Sequence, residues 1–574
     1  PGGIGRPAEG LEPGKVAING AMFRTAALSS KTAEIAARVW LDSDHAGPAR
    51  MQVAFVPHNF RGRPEIREEE IVLNTGETVL ERSYELEGPR LWWTHDLGRP
   101  HLYRIIVEVQ MKDGDVSDRL ETMFGIRRFE MEDWIPVLNG RRMFLKGSNY
   151  GPGDTRMAMM SRSRYRRDLK LAVKAHMNFL RVHAHVEAPE FYQAADEAGV
   201  LLWQDFPLQW LYSKDVLEPA LDQMEEMVRL LNNHPSVAIW CMHNEPFGVP
   251  DTAKLGSGGL RGRWRFFRML WTLYGYSWNR EVLDSRLAAR AQELDSTRPV
   301  VRSSGEWALP WRRGTDGHHY HGWYPEAGPL ARLDRFLKWF PRNFRFVTEF
   351  GAQSFPNLKS SRKFMAATLE ELDWDRLEER HHLQRRHLRR WVAVDDMPTL
   401  EALVGATQEY QAEVNQYFVD RLRRRKYQPT GGIANFMFHD PNPAVSWSVL
   451  DHWRVPKRSY DRLAQAYHPE YVFALMDRAH HRVGEEIEIP IYVINDSPRD
   501  RGSVRVSVQV FNSEGQVRLE AGFASELPAD STAIEVGRVR TRFQEAGTRR
   551  LVLRLFYGAR VFENSYRLRV EGGS

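Results

Sequence analysis

The rhythm of apolar and polar positions changes twice along this chain. Over 33–40, 51–56, 102–110 and 119–126 the two kinds alternate between clusters of Gly, Asp and Pro, which predicts strands of an antiparallel β-sandwich. After Trp134 the alternation gives way to short apolar runs at 142–147, 178–182, 200–204 and 235–240, separated by helical stretches at 163–175, 189–198 and 216–232. Strand and helix in turn imply parallel pairing. Further runs at 299–302, 318–320, 344–347 and 432–438 bring the count to eight, the number of a (β/α)8 TIM barrel with insertions. Beyond Pro456 one more helix carries Tyr460 and Leu463, and strict alternation returns over 486–495, 503–511 and 550–557. The expected fold is multidomain: a sandwich over 15–131, a barrel over 132–468 and a second sandwich over 469–574, with 1–14 ahead of them.

Composition narrows the reading. A chain of 574 residues is too long for one core, and 80 basic residues set among 75 acidic ones give no one-sided surface for nucleic acid. No apolar run approaches the roughly 20 residues that cross a bilayer as a helix. The lone Cys241 rules out an internal disulfide framework, slightly favours a cytoplasmic setting and is compatible with secretion. Its place in an apolar run reads as a buried thiol and not as a nucleophile. The chain opens on Pro1 and not on Met, so the native start is expected to be absent and no targeting argument follows.

Two of the apolar runs end on a carboxylate. Val237 to Met242 leads into His243-Asn244-Glu245, and Phe344 to Thr348 leads into Glu349-Phe350-Gly351. Barrels build active sites at the C-terminal ends of their strands. A single Glu there is as readily a solvated loop residue; a pair at one edge suits glycoside hydrolysis, where one carboxyl protonates the leaving oxygen and the other meets the oxocarbenium-like centre.

These motifs carry a resemblance. Asn244-Glu245-Pro246, the run from Glu349-Phe350-Gly351 to Pro356, and Trp203-Gln204-Asp205-Phe206 together resemble glycoside hydrolase family 2, most closely its β-mannosidase-like branch. The resemblance implies a retaining exo-β-glycosidase with β-mannoside as the first expectation, a carbohydrate as its partner, and neither cofactor nor metal. It implies Glu245 as general acid/base and Glu349 as nucleophile. Asn244 would bind the sugar 2-hydroxyl, Arg181 would hold the nucleophile from beneath, and Tyr320 would hydrogen-bond it. Asp205 and Trp203 would shape the sugar pocket, with His183, His185, His319 and Trp323 as further substrate contacts. Residues 1–14 would be the remnant of an N-terminal jelly roll. The sandwich over 15–131, with Leu91-Trp92-Trp93, would be immunoglobulin-like, the two Trp serving as core. β-Galactosidase or β-glucuronidase activity, and a non-catalytic carbohydrate-binding pseudoenzyme, stand as alternatives. The oligomeric state has no signature.

The chain also departs from that pattern. His183 in Arg181-Val182-His183 stands where the branch usually has Trp, and Phe436-Met437-Phe438-His439-Asp440 replaces a Trp-rich stretch at strand eight. Both changes bear on which sugar is read, and neither on the carboxylates. The basic aromatic stretch 260–278 is expected to form a wall of the active-site mouth. The charged helical stretch 365–426, with His381, His382 and His387, is expected to be a solvated face and not a metal site.

Overall fold

The structure is a computed structural model that describes residues 15–111, 115–247, 275–309, 312–476 and 480–572. Its first domain is a sandwich of two antiparallel sheets. One holds Val16–Leu28, Thr32–Ser43 and Gly76–Glu87; the other holds Glu65–Leu73, Gly47–Pro57, Tyr103–Met111 and Val116–Phe124. Phe23, Ile35, Val39, Met51, Phe55, Ile105 and Val107 fill the space between them. The period-two pattern is thus the record of one buried face per sheet.

A small sheet of Phe129–Glu132, Ile135–Leu138 and Arg141–Arg142 leads out of the sandwich, so the expected boundary at 131/132 falls inside it. Trp92 is fully buried where the sandwich meets the barrel, with its indole N–H on Asp196 O at 2.9 Å. The buried Arg127 donates to Pro235 O at 3.0 Å and to Val237 O, at the start of the strand that ends near Glu245. Full burial of a side chain the size of Trp92 stabilises the junction by about 2–3 kcal/mol.

Eight parallel strands form the barrel: β1 Leu145–Tyr150, β2 Phe179–Val182, β3 Leu201–Asp205, β4 Val237–Cys241, β5 Val300–Val301, β6 Gly317–His318, β7 Phe346–Glu349 and β8 Gly432–Asn435. Hydrogen-bonded neighbours run β5-β4-β3-β2-β1-β8-β7-β6, so β1 and β8 close the ring through Leu145↔Gly432 and Ser148↔Asn435. Every residue of β1, β2, β3, β4, β7 and β8 is buried, as strands covered by helices outside and packed side chains inside must be. Cys241 is among them, and burial pushes its thiol well above the usual range.

The second sandwich begins at Glu470. It pairs a three-stranded sheet, Glu470–Ala474, Glu486–Asn495 and Ile534–Arg542, with a five-stranded one ending in Arg560–Glu571. Between it and the barrel lies the helix Leu400–Arg424, capped at Thr399, whose side chain accepts from Ala402 N. Leu403, Val404, Val414, Phe418, Val419 and Leu422 are buried along it, so this part of the stretch expected to face solvent is an interior helix. At the N-terminal ends of the barrel strands Asp496 meets Lys146 Nζ at 2.6 Å, Arg423 Nη2 at 2.7 Å and Lys426 Nζ at 3.0 Å. Lys426 also reaches Asp530 at 2.9 Å. Residues 1–14, and all but the last four of 260–278, lie outside the described residues, and so do the expectations attached to them.

Candidate active site

Both carboxylates stand at the C-terminal edge of the barrel. β4 ends at Cys241, and Asn244 then bridges Gln209 and Ser304 on the neighbouring strand extensions. The Glu245 N–H donates to Ser304 O at 3.0 Å while its φ is +49°. A residue with a side chain holds that left-handed conformation at a cost of order 1–3 kcal/mol, and such strain gathers at functional sites. Glu349 closes β7 and is buried. One oxygen of Glu245, one of Glu349 and a ring nitrogen of His318 all lie within 4.8 Å of one another.

Arg181, at the end of β2, is fully buried under this pair. Its guanidinium reaches Glu349 Oε1 at 2.8 Å, Asp205 Oδ2 at 2.8 Å and Asn244 Oδ1 at 2.6 Å. Burial acts to discharge it; Asp205 and Glu349 outweigh that and leave its pKa above the usual value. The Tyr320 hydroxyl donates to Glu349 Oε2 at 2.7 Å, and His183 Nε2 lies 3.5 Å from Oε1. Burial likewise opposes ionisation of Glu349, but His318, then His183 and Arg181, hold its carboxyl well below the usual range. A carboxylate kept ionised, with both oxygens oriented by donors, suits attack on an anomeric carbon.

Five of the expected contacts have other duties. Trp203 and Asp205 lie beneath the pocket and do not line it: Asp205 is fully buried on Arg181, and the Trp203 indole N–H donates to Asp205 Oδ1 at 3.0 Å while its ring packs on Phe346. His185 is held through both nitrogens, by His183 O at 3.0 Å and Glu187 Oε1 at 3.3 Å. His319 points away from the carboxylates, stacked on Phe344 and bonded to Asn343 O at 2.9 Å. Trp323 is fully buried, its N–H on Gln384 at 2.8 Å.

His318, Asp316 and Trp447 were not singled out from the sequence, and Phe436 entered only as part of the strand-eight stretch. His318 sits 2.7 Å from Glu245, and Asp316 lies behind it. Phe436, half-buried at the mouth, has its ring 5.4 Å from His183 and 5.7 Å from Trp447. Trp447 thus supplies, from farther along the chain, an aromatic face beside the strand-eight position where the Trp-rich stretch is replaced. Strand alternation was the signal for His318, because a strand that turns Tyr320 toward Glu349 turns His318 the same way and His319 the other.

Three donor atoms this close would also suit a metal ion. Here hydrogen bonds account for the spacing: His318 meets Glu245, while Arg181 and Tyr320 occupy the two oxygens of Glu349. No metal-ligand role is assigned to them. Of the His381, His382 and His387 cluster, His381 is bonded to Pro443 O at 2.7 Å and His387 packs against Trp323 and Tyr324. A cleft of about 1390 Å³ lies away from this chemistry, between Leu400–Arg424 and the second sandwich, lined by Trp391, Tyr410, Arg550 and Arg567.

Comparison with known proteins agrees with this architecture. The family model described as "Glycosyl hydrolases family 2" matches residues 16–127, and "Glycosyl hydrolases family 2, TIM barrel domain" matches residues 129–421. "Beta-mannosidase B" of Neosartorya fischeri is 25% identical over 491 residues, 79% of this chain and 54% of that protein. Its Aspergillus clavatus counterpart is 26% identical over 516 residues, 82% and 58% of the two. The chain therefore spans somewhat more than half the length of these relatives. Among solved structures, a β-D-mannosidase from Dictyoglomus thermophilum superposes with a TM-score of 0.77 at 21% identity, covering 97% of this chain and 66% of that one. An Amycolatopsis orientalis exo-chitosanase gives 0.73 at 16%, covering 97% and 64%. Likeness at that identity speaks for the fold alone.

Proposed function

This chain belongs to glycosyl hydrolase family 2, and from that membership we propose that it is the catalytic part of a retaining exo-β-glycosidase, with terminal β-mannosides as its first substrate class. One observation carries the reading: Glu245 and Glu349 approach with an oxygen of each within 4.8 Å, while Arg181 and Tyr320 orient Glu349. Retention needs carboxyl groups roughly 5–5.5 Å apart, whereas inversion leaves room for a water at about 6.5–9.5 Å.

In the first half-reaction Glu349 attacks the anomeric carbon as Glu245 passes a proton to the leaving oxygen. The C–O bond to the aglycone breaks, and a glycosyl ester forms on Glu349. Its negative charge is then gone, so Glu245 can accept a proton from the incoming water, which releases the sugar with its original anomeric configuration. Asn244, held by Arg181 at 2.6 Å, is set to meet the 2-hydroxyl, a contact that strengthens as the ring flattens.

The sugar rests on the relatives, whose names specify β-mannosidase, and the exo mode on the family resemblance of the motifs. His183 tempers the choice of sugar, since an imidazole 3.5 Å from the nucleophile presents a polar atom where the branch has an indole. Rates on nitrophenyl β-mannoside, β-galactoside, β-glucoside, β-glucuronide and β-glucosaminide test the sugar, and a galactoside rate far above the mannoside rate would overturn it. If His183 is the determinant, His183→Trp shifts the ranking toward mannoside. Proton NMR of the first-formed product tests the stereochemistry: the β-anomer supports double displacement, and the α-anomer refutes it.

A further inference from the structure

Three carboxylates converge on one imidazole. His318 Nδ1 lies 2.7 Å from Glu245 Oε1 and 3.6 Å from Glu349 Oε2; Nε2 lies 3.0 Å from Ser304 Oγ and 3.6 Å from Asp316 Oδ2. Gly305, at φ +89°, leaves the room for this, because a Cβ there would come within 2.9 Å of the imidazole Nδ1.

Hydrogen-bond directions fix the proton count. The Ser304 hydroxyl donates to Asp316 Oδ2 at 2.6 Å, so toward His318 it offers a lone pair and Nε2 must be the donor. With Nε2 protonated, one further proton lies on the line between Nδ1 and Glu245 Oε1. Each carboxylate within 4 Å favours keeping that proton on the ring as an imidazolium.

Resting on the glycosidase reading, we propose that the proton spent on the leaving group is stored on His318 before substrate binds, with Glu245 as the route by which it reaches the glycosidic oxygen. His318 is a positioning residue in this scheme, since of this pair it is Glu245 that touches the substrate. The inventory balances. One proton shared by His318 and Glu245 beside an ionised Glu349 is the same charge count as a lone protonated acid. In the first half-reaction the proton passes from Nδ1 to Glu245 and leaves with the aglycone, and the ring keeps its Nε2 proton. Formation of the ester removes the charge of Glu349, and water then returns a proton through Glu245 to Nδ1.

The groups that face the ring agree with an imidazolium. They are Glu245 after β4, Ser304 and Gly305 after β5, Asp316 ahead of β6, and Thr348 and Glu349 on β7; Arg181, His183 and Tyr320 stand beyond Glu349. Burial pulls the imidazole toward its neutral form, but Glu349, then Asp316 and Glu245, outweigh it and raise its pKa to about 10.

Histidine-labelled protein tests this directly, with His318→Gln identifying the His318 signal by its loss. The expected result is carbon and nitrogen shifts of a doubly protonated ring at pH 7–8; a singly protonated ring there overturns the proposal. In kinetics, His318→Gln should move the alkaline limb of kcat/KM for a nitrophenyl glycoside down by about one pH unit or more. A dinitrophenyl glycoside, whose leaving group needs little protonation, should lose less than about tenfold. A uniform drop at every pH, with the limb in place, would mark His318 as merely structural and refute the idea. Should His318→Gln fail to fold, Asp316→Asn in its stead should lower the pH at which the His318 ring titrates. Absence of hydrolysis with every glycoside would sink the glycosidase reading while leaving the ring's protonation to be decided by the shifts.

Discussion

Two networks of buried charge sit at opposite ends of the same barrel strands, and their balances are reversed. At the C-terminal ends Arg181 and His318 face four carboxylates, Asp205, Asp316, Glu349 and Glu245. At the N-terminal ends Lys146, Arg423 and Lys426, all buried, face two, Asp496 and Asp530. In the lower network three cations share Asp496, whose side chain is 6% exposed, while the second anion, Asp530, is 24% exposed. In the upper one Glu245 is 22% exposed and holds its histidine through a single shared proton. Burial of charge therefore does not by itself mark function. An excess of carboxylate and a titratable partner do.

The largest contrast comes from removing one carboxylate at each end. Glu349→Ala should lower turnover by about four orders of magnitude or more, with a melting temperature close to that of the parent, because it relieves an excess of negative charge. Azide should restore turnover and yield an α-glycosyl azide. Asp496→Ala should do the reverse, costing about 3–5 kcal/mol in denaturant unfolding while activity per folded molecule persists, since it leaves the buried Lys146 and Arg423 without their counter-ion and Lys426 with Asp530 alone. Equal loss of activity in both folded variants would erase the distinction.

Acid separates the networks next. The folded state holds Asp496 below the usual carboxylate range, since Arg423, Lys146 and Lys426 outweigh its burial. Its contribution is present above the unfolded carboxylate value of about 4 and is lost as pH falls through the folded one. Melting temperatures followed from pH 7 to pH 2.5 should fall steeply below about pH 4, and Asp496→Asn should be the flatter of the two. Parallel profiles would refute the assignment.

The smallest effect sharpens the upper end. Glu245→Asn places a residue that tolerates φ +49° where Glu is strained, so the variant should be more stable by about 1 kcal/mol while losing activity on poor leaving groups. A destabilised variant would mean that the Glu245–His318 bond outweighs the strain.

Much of this was legible in the linear pattern. Alternation and apolar runs revealed the two sandwiches and the barrel because each records how many faces of a strand are buried, and two runs ending on Glu pointed to Glu245 and Glu349. What stayed hidden depends on long-range meetings. Asp205 and Trp203 resemble pocket residues in sequence, yet their hydrogen bonds turn them inward onto Arg181 and onto each other. Trp447 joins the mouth only because the chain after β8 folds back against Phe436. His318 and His319 are adjacent and chemically identical; only the two-residue period separates the one facing the carboxylates from the one stacked on Phe344.

The contact between Lys146 and Asp496 joins residues 350 positions apart. On a ribosome adding about 5–20 residues each second, the amine in the first barrel strand waits roughly 20–70 s for its counter-ion to be made. Desolvating that amine alone is unfavourable: burial pulls its proton affinity down even with Asp496 in place. The strand that must pair with β8 to close the ring is therefore disfavoured from settling until the following domain emerges. Ring closure and docking of the last sandwich become one late event in the life of the nascent chain, and a stop codon placed between them would leave a barrel without the anion its first strand was built around.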